Sequence, residues 1–284
     1  MTTKRLFLVA AYDPMGIGIV DASLMQLVRG LGKYGDVVIF MDNDAPGGEL
    51  KKLAPHVRHA DAMRHGEYDF GSYKRAYIWA QDHMTLGDID VVYMVNDSVY
   101  GPLGDIGELL QKMENLDADA IGPVYKVHKI KPHLESWFMG FRPSIFMSPW
   151  FDTFMTSITK LESKGAVIAQ YENGLARLIR DQGLTADGVY HVHGRETYNR
   201  VAGLYRQGLP FIKKMSWRRR HGALGGQIAY VLRHMDNHGR DAIMENANRI
   251  YGPDFNKWFI TRNPIKIAWR NIKHFFHKVF IEGI

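Results

Sequence analysis

The sequence predicts an α/β fold with a mostly parallel sheet flanked by helices. Short apolar runs at Leu6–Ala10, Val37–Met41 and Val91–Val95 alternate with segments whose apolar residues recur at helical spacing, notably Ala22–Leu31 and Tyr73–Trp79. Strands alternating with helices imply a parallel sheet covered on both faces. The run from Val91 also ends abruptly in Asn96, Asp97 and Ser98. An apolar run bounded by turn residues reads as a buried parallel strand, and open α/β sheets bind ligands at the carboxyl ends of such strands.

The elements follow in order. Leu6–Ala11 is too short for an export signal despite the basic Lys4-Arg5 before it, and is read as the first strand. Leu103–Met113 is expected to be a helix, so Asn96–Ser98 either cap it or hold a ligand. Ala118–Gly122 reads as a short strand, and the basic stretch Tyr125–Pro132, with no apolar period, as a mobile loop. His133–Phe141 is expected to be extended, Pro149–Leu161 and Glu172–Arg180 helical, and Tyr190–Arg195 a strand entering a loop. The character changes near residue 208, which suggests a domain over 1–208 and a basic, mainly helical region over 209–284, with helices near Leu224–Met235 and Arg240–Ile250.

With 284 residues, 46% hydrophobic and 23% charged, the chain has ordinary globular composition. A formal charge of +6 points to anionic company: nucleic acid, a phosphorylated substrate or an anionic membrane. The absence of Cys excludes disulfides and thiolate metal sites, so any metal must use oxygen or imidazole ligands. No stretch of about 18 apolar residues suggests a transmembrane helix. Gly16 and Gly18 do not make a dinucleotide fingerprint, because Asp21 occupies the third glycine position.

Near the carboxyl terminus, Pro264–Phe280 reads as an amphipathic helix with Lys266, Arg270, Lys273 and Lys278 among Ile265, Trp269, Ile272 and Phe276. Such a helix either lies on an anionic membrane surface or packs its apolar face on the domain. Phe211 and Trp217 interleaved with Lys213–Arg220 leave nucleic-acid binding as an alternative.

Five short motifs occur in sequence: Glu67-Tyr68-Asp69-Phe70-Gly71-Ser72-Tyr73-Lys74-Arg75, Asn96-Asp97-Ser98-Val99-Tyr100-Gly101-Pro102-Leu103, His133-Leu134-Glu135-Ser136-Trp137-Phe138, Tyr171-Glu172-Asn173-Gly174-Leu175 and Pro210-Phe211-Ile212-Lys213. Together, over residues 65–214, they resemble the rhamnan synthesis protein F family of glycosyltransferases. The resemblance implies a GT-A-like fold, a nucleotide-sugar donor and a role in building a cell-surface polysaccharide. Glu135 and Trp137 depart from the family pattern, where Gln and Tyr are expected, and leave open a sugar other than rhamnose. An Asp-x-Asp metal motif is absent.

The residues themselves suggest roles. Glycosyl transfer passes through an oxocarbenium-like state while a nucleoside diphosphate departs, so the site must stabilise charge on the leaving phosphate. Asp97 is the expected ligand of a divalent cation, Mg²⁺ or Mn²⁺, bridging the diphosphate. His193 is a second potential ligand, pointing to the same strand face as His191. Asp69, Gly71 and Ser72 at a helix start, with Lys74, Asn96, Ser98 and Lys213, are expected to bind the donor; Lys74 and Arg75 read equally as a solvated helix face. Glu172 is the expected general base for the acceptor hydroxyl and His133 the competing one, with Trp137 beside it as a surface for sugar stacking. The expected partners are a nucleotide-sugar donor, a glycan or lipid-linked acceptor, and an anionic membrane surface, with the protein cytoplasmic or peripheral on the inner face. A catalytically inactive sugar-nucleotide-binding scaffold is a further alternative.

Overall fold

A computed structural model describes residues 3–218, 223–261, 263–269, 271 and 272. The chain divides into two compact units, Met1–Asp97 with Ile106–Gly194, and Ser98–Asp105 with Arg195–Ile284. The boundary expected near residue 208 thus falls inside the second unit.

The first unit is built on a twisted sheet ordered β3-β2-β1-β4-β8-β6-β7, with β9 also paired to β6. The four strands β1 (Arg5–Ala11), β2 (Asp36–Met41), β3 (His59–Ala62) and β4 (Val91–Asn96) run parallel. Every residue of β4 is buried, as expected of an apolar run covered on both faces. Helix α1 (Ala22–Gly32) joins β1 to β2 and begins where Asp21 accepts a hydrogen bond from the Leu24 amide at 3.0 Å. Helix α2 (Tyr68–His83) returns to β4, burying Phe70, Tyr73, Ala76, Tyr77 and Ala80 on one side.

The chain leaves β1 toward β2 on one side while β4 flanks it on the other, so the strand order reverses between β1 and β4. Open α/β sheets bind ligands at such a switch point, beyond the carboxyl ends of the strands. The strands β6 (Ala120–Val127), β7 (His133–Leu134), β8 (Phe138–Phe141) and β9 (Ala186–His193) complete the sheet, with β8 antiparallel to both β4 and β6.

No helix begins at Leu103: Val99–Tyr100 form a short strand, β5, and the helix α3 starts at Gly107 and ends at Glu114. Asn96–Ser98 therefore do not cap a helix beginning at Leu103. The supposed loop Tyr125–Pro132 is strand as far as Val127, because β7 and β9 pair with its backbone on either side. Pairing at that depth in a sheet overrides a basic composition. Helix α4 (Pro149–Thr156) ends well before Leu161, and α5 (Asn173–Asp181) closes at Gly183, whose φ is 73°.

The second unit has its own core. The strand β5 pairs antiparallel with β10 (Ile212–Lys213). Helices α6 (Leu224–His234), α7 (Asn237–Tyr251) and α8 (Pro253–Phe259) pack Ile228, Leu232, Ile243 and Phe259 around Tyr100 and Trp217. The Tyr100 hydroxyl donates to the buried Asn246 at 2.7 Å. Residues 264–269, 271 and 272 are helical, and the rest of the expected Pro264–Phe280 helix lies outside the described residues.

Candidate active site

The end of β4 supplies the first side chains. Asn96 is buried and donates through Nδ2 to Asp69 Oδ2 at 3.1 Å and to the Ser136 carbonyl at 3.5 Å. This ties the strand end to the first turn of α2 and to the segment between β7 and β8. Asp97 follows, half-buried, its amide donating to the Ala10 carbonyl at 3.1 Å, so its position is fixed by the neighbouring strand.

Glu172 arrives from a different direction. The expected helix does not begin there: a helical run starts at Lys164, passes through a π-helical turn over Ile168–Glu172 and continues as α5. Glu172 thus gains nothing from a helix amino terminus; instead it sits on a π-turn, an irregularity frequent at functional sites. Its Oε2 accepts from Ser136 Oγ at 2.9 Å, and its Oε1 lies 3.5 Å from His133 Nε2. His133 Nδ1 is 2.8 Å from the Lys131 carbonyl; a carbonyl oxygen only accepts, so Nδ1 carries a proton and Nε2 is the atom turned toward Glu172.

Tyr73 joins these groups. Its hydroxyl donates to the Ser136 carbonyl at 3.2 Å. Burial, followed by the negative charge of Asp69, raises it well above the ordinary tyrosine pKa; Asp97 and Glu172 push the same way, and a hydrogen bond with Asn96 opposes them. The negative charges of Asp69, Asp97 and Glu172 favour the protonated form, so this buried hydroxyl keeps its proton and remains a donor. The sequence read Tyr73 only as part of a helical apolar face, and gave no role to Ser136. No local signal reveals either, because both act through residues distant in the chain.

Asp13 was missed as well. It is buried beyond the end of β1 and accepts from the amides of Met15, Gly18 and Ile19 at 3.1 to 3.2 Å, holding the loop before α1 in shape. Gly18, at φ 76°, lies against the Asp44 backbone where a Cβ would clash.

Other expected residues are engaged elsewhere. Ser72 is 1% exposed and pairs with His65 Nε2 at 3.0 Å. A Cβ on Gly71 would meet Glu67 and His65, so this glycine serves packing. Lys74 donates to the Ile158 carbonyl at 2.6 Å and lies 3.6 Å from Glu67, to which Arg75 is also bonded at 2.7 Å. Ser98 and Lys213 pair within the second unit, Lys213 Nζ donating to Ser98 Oγ at 2.8 Å.

Trp137 is no sugar-stacking surface. It is 2% exposed, and its indole N–H donates to the buried Glu135 at 2.9 Å. The two departures from the family pattern thus meet in one hydrogen bond. His191 and His193 do share the outer face of β9, but His191 is bonded to Asp187 at 2.7 Å. Among the described residues no three His, Asp or Glu side chains gather to hold a metal.

The family model for rhamnan synthesis protein F matches residues 49–279. Among solved structures, a protein described as a nucleotide-diphospho-sugar transferase from Desulfovibrio desulfuricans G20 is 18% identical, covering 85% of this chain and 99% of its own, with a TM-score of 0.43. The glycosyltransferase GlyE of Streptococcus pneumoniae TIGR4 is 14% identical, covering 90% of this chain and 63% of its own, with a TM-score of 0.45. No curated protein matches the chain.

Proposed function

The chain belongs to the rhamnan synthesis protein F family of glycosyltransferases, and from that premise we propose that it moves a hexose, rhamnose or another, from a nucleotide-sugar donor to a hydroxyl of a growing surface polysaccharide or lipid-linked glycan. One arrangement carries the assignment of the site: Asn96 at the end of β4 bonds Asp69 and the Ser136 carbonyl, and Ser136 Oγ bonds Glu172, beside the point where the strand order reverses.

Glu172 is the base. Ser136 occupies its Oε2, which leaves Oε1 to accept the proton of the attacking acceptor hydroxyl as the bond from the anomeric carbon to the diphosphate breaks. His133, whose Nε2 lies 3.5 Å from that same oxygen, is the competing base. Asp97, Asn96 and Asp69 line the donor side, where the carboxylates suit sugar hydroxyls as acceptors. The same reading sets the enzyme against a membrane: Ile265, Trp269 and Ile272 recur at helical spacing and are exposed, while no described helix is long and apolar enough to cross one.

Thermal-shift screening against sugar nucleotides tests the proposal. A donor at a hundredfold excess over its Kd should add about 2.7 kcal/mol of stability, and Asp97→Asn should abolish the shift. If no sugar nucleotide stabilises the protein while single-stranded nucleic acid does so in a salt-dependent way, the nucleic-acid alternative replaces it.

A further inference from the structure

The first unit carries a concave site remote from the carboxylates. It is a cleft of about 540 Å³ formed by the last turn of α1, the start of β2 and the stretch from Pro55 to Arg58. Arg29, Lys33 and Arg58 line it together with His56, against one acid, Asp36. Arg29 donates through Nε to His56 Nε2 at 3.2 Å, which fixes its guanidinium at the cleft wall. Neither Arg29, Lys33 nor Arg58 forms an ion pair with a described carboxylate; other exposed cations of this unit, such as Lys52 and Lys112, are paired with neighbouring acids.

Charge of one sign concentrated in a concavity focuses the field and attracts a counter-ion of matching shape. The carboxyl end of α1 contributes to holding the cations there, because that end of a helix carries partial negative charge. It does not neutralise three of them, and it does not account for the cavity between them. Two guanidinium groups offer the forked donors that fit phosphate oxygens in pairs.

We infer that this cleft binds a phosphate-bearing anion. The ligand is not the donor of the proposed reaction: the cleft opens at the first residues of β2, whereas Asp42 and the carboxylate cluster lie beyond the far ends of the parallel strands, about 20 Å away for a six-residue strand. A free phosphorylated metabolite and a phospholipid headgroup present the same chemistry to these side chains. The inference stands on Arg29, Lys33 and Arg58 and is independent of the glycosyltransferase assignment.

Titration calorimetry with inorganic pyrophosphate tests it on the full chain, using wild type, Arg29→Ala/Arg58→Ala and Asp97→Asn. All three positions are solvent-facing or partly so, and the unliganded melting temperature of each variant checks that it folds. The expected result is binding that falls at least tenfold in the double arginine variant and persists in Asp97→Asn. Asp36→Asn, which removes the only acid of the cleft, should tighten binding about threefold, the effect of one surface charge at short range. Flotation with phosphatidylcholine vesicles, with and without phosphatidic acid, distinguishes the sources. Loss of phosphatidic acid dependence in the double variant assigns a lipid headgroup, and loss of pyrophosphate binding alone assigns a free phosphate compound. If both probes bind the double variant as they bind wild type, or if pyrophosphate binding is lost only in Asp97→Asn, the cleft has no such role.

Discussion

A carboxylate with one oxygen bonded to a fixed hydroxyl keeps the other for chemistry, and Glu172 is held in this way by Ser136. Glu172→Gln keeps that contact through its amide and removes the basicity. It is expected to lower kcat by about 10²- to 10⁴-fold with the melting temperature unchanged; turnover near wild type in an initial-rate assay would remove Glu172 from the mechanism. Tyr68, between Glu67 and Asp69, stores strain: its φ is 58° and its ring is 40% exposed. A side chain in that conformation costs on the order of 1 kcal/mol. Tyr68→Gly should therefore raise unfolding free energy in urea by about that amount, and a fall in activity alongside the gain would mark the strain as functional. At this scale the sequence was legible where a residue type speaks for itself. The acids Asp69, Asp97 and Glu172 stood out, whereas Ser136 and Tyr73 did not, since a hydroxyl acquires its meaning only from what folding places against it.

Helix α2 is pinned at its start by a clamp in which Glu67 receives Arg75 and approaches Lys74. Burial pushes the Glu67 carboxyl up, but the hydrogen bond and charge of Arg75, with Lys74 and His65, outweigh it and hold the group below the usual carboxylate range. A depressed carboxylate contributes stability above its unfolded pKa, near 4.3, and loses it as pH falls through the lower folded value. Glu67→Gln should thus cost stability from about pH 5 upward and converge with wild type in strong acid, as followed by circular dichroism across pH. In the sheet, Gly140 of β8 is paired with Tyr93, and a Cβ there would clash with the Tyr93 ring, itself stacked on Phe7 at 5.1 Å. Gly140→Ala is expected to destabilise by about 1–3 kcal/mol, measured in urea, because the trapped ring has no space to yield. Elements with strong local periodicity, β1, β2, β4 and α1, were legible in sequence. The strand character of Tyr125–Val127 was not, because it comes from partners donated by β7 and β9, and a two-residue strand such as β5 is too short to carry a period.

At the scale of the molecule, the mostly parallel sheet followed from alternation alone, while the division of the chain did not. Composition changes near residue 208, yet the compact units part after Gly194 and exchange the segment Ser98–Asp105. No compositional change marks that exchange, since those eight residues are recruited by backbone pairing and by the burial of Tyr100. The detour has a consequence for anyone trimming the gene. A fragment ending at Gly194 would keep Val99 and Tyr100 but lose Ile212–Lys213, leaving an orphaned ribbon with bare amides and a greasy ring in water. Such a fragment is expected to aggregate on expression, whereas size-exclusion chromatography of the intact chain should show a discrete species.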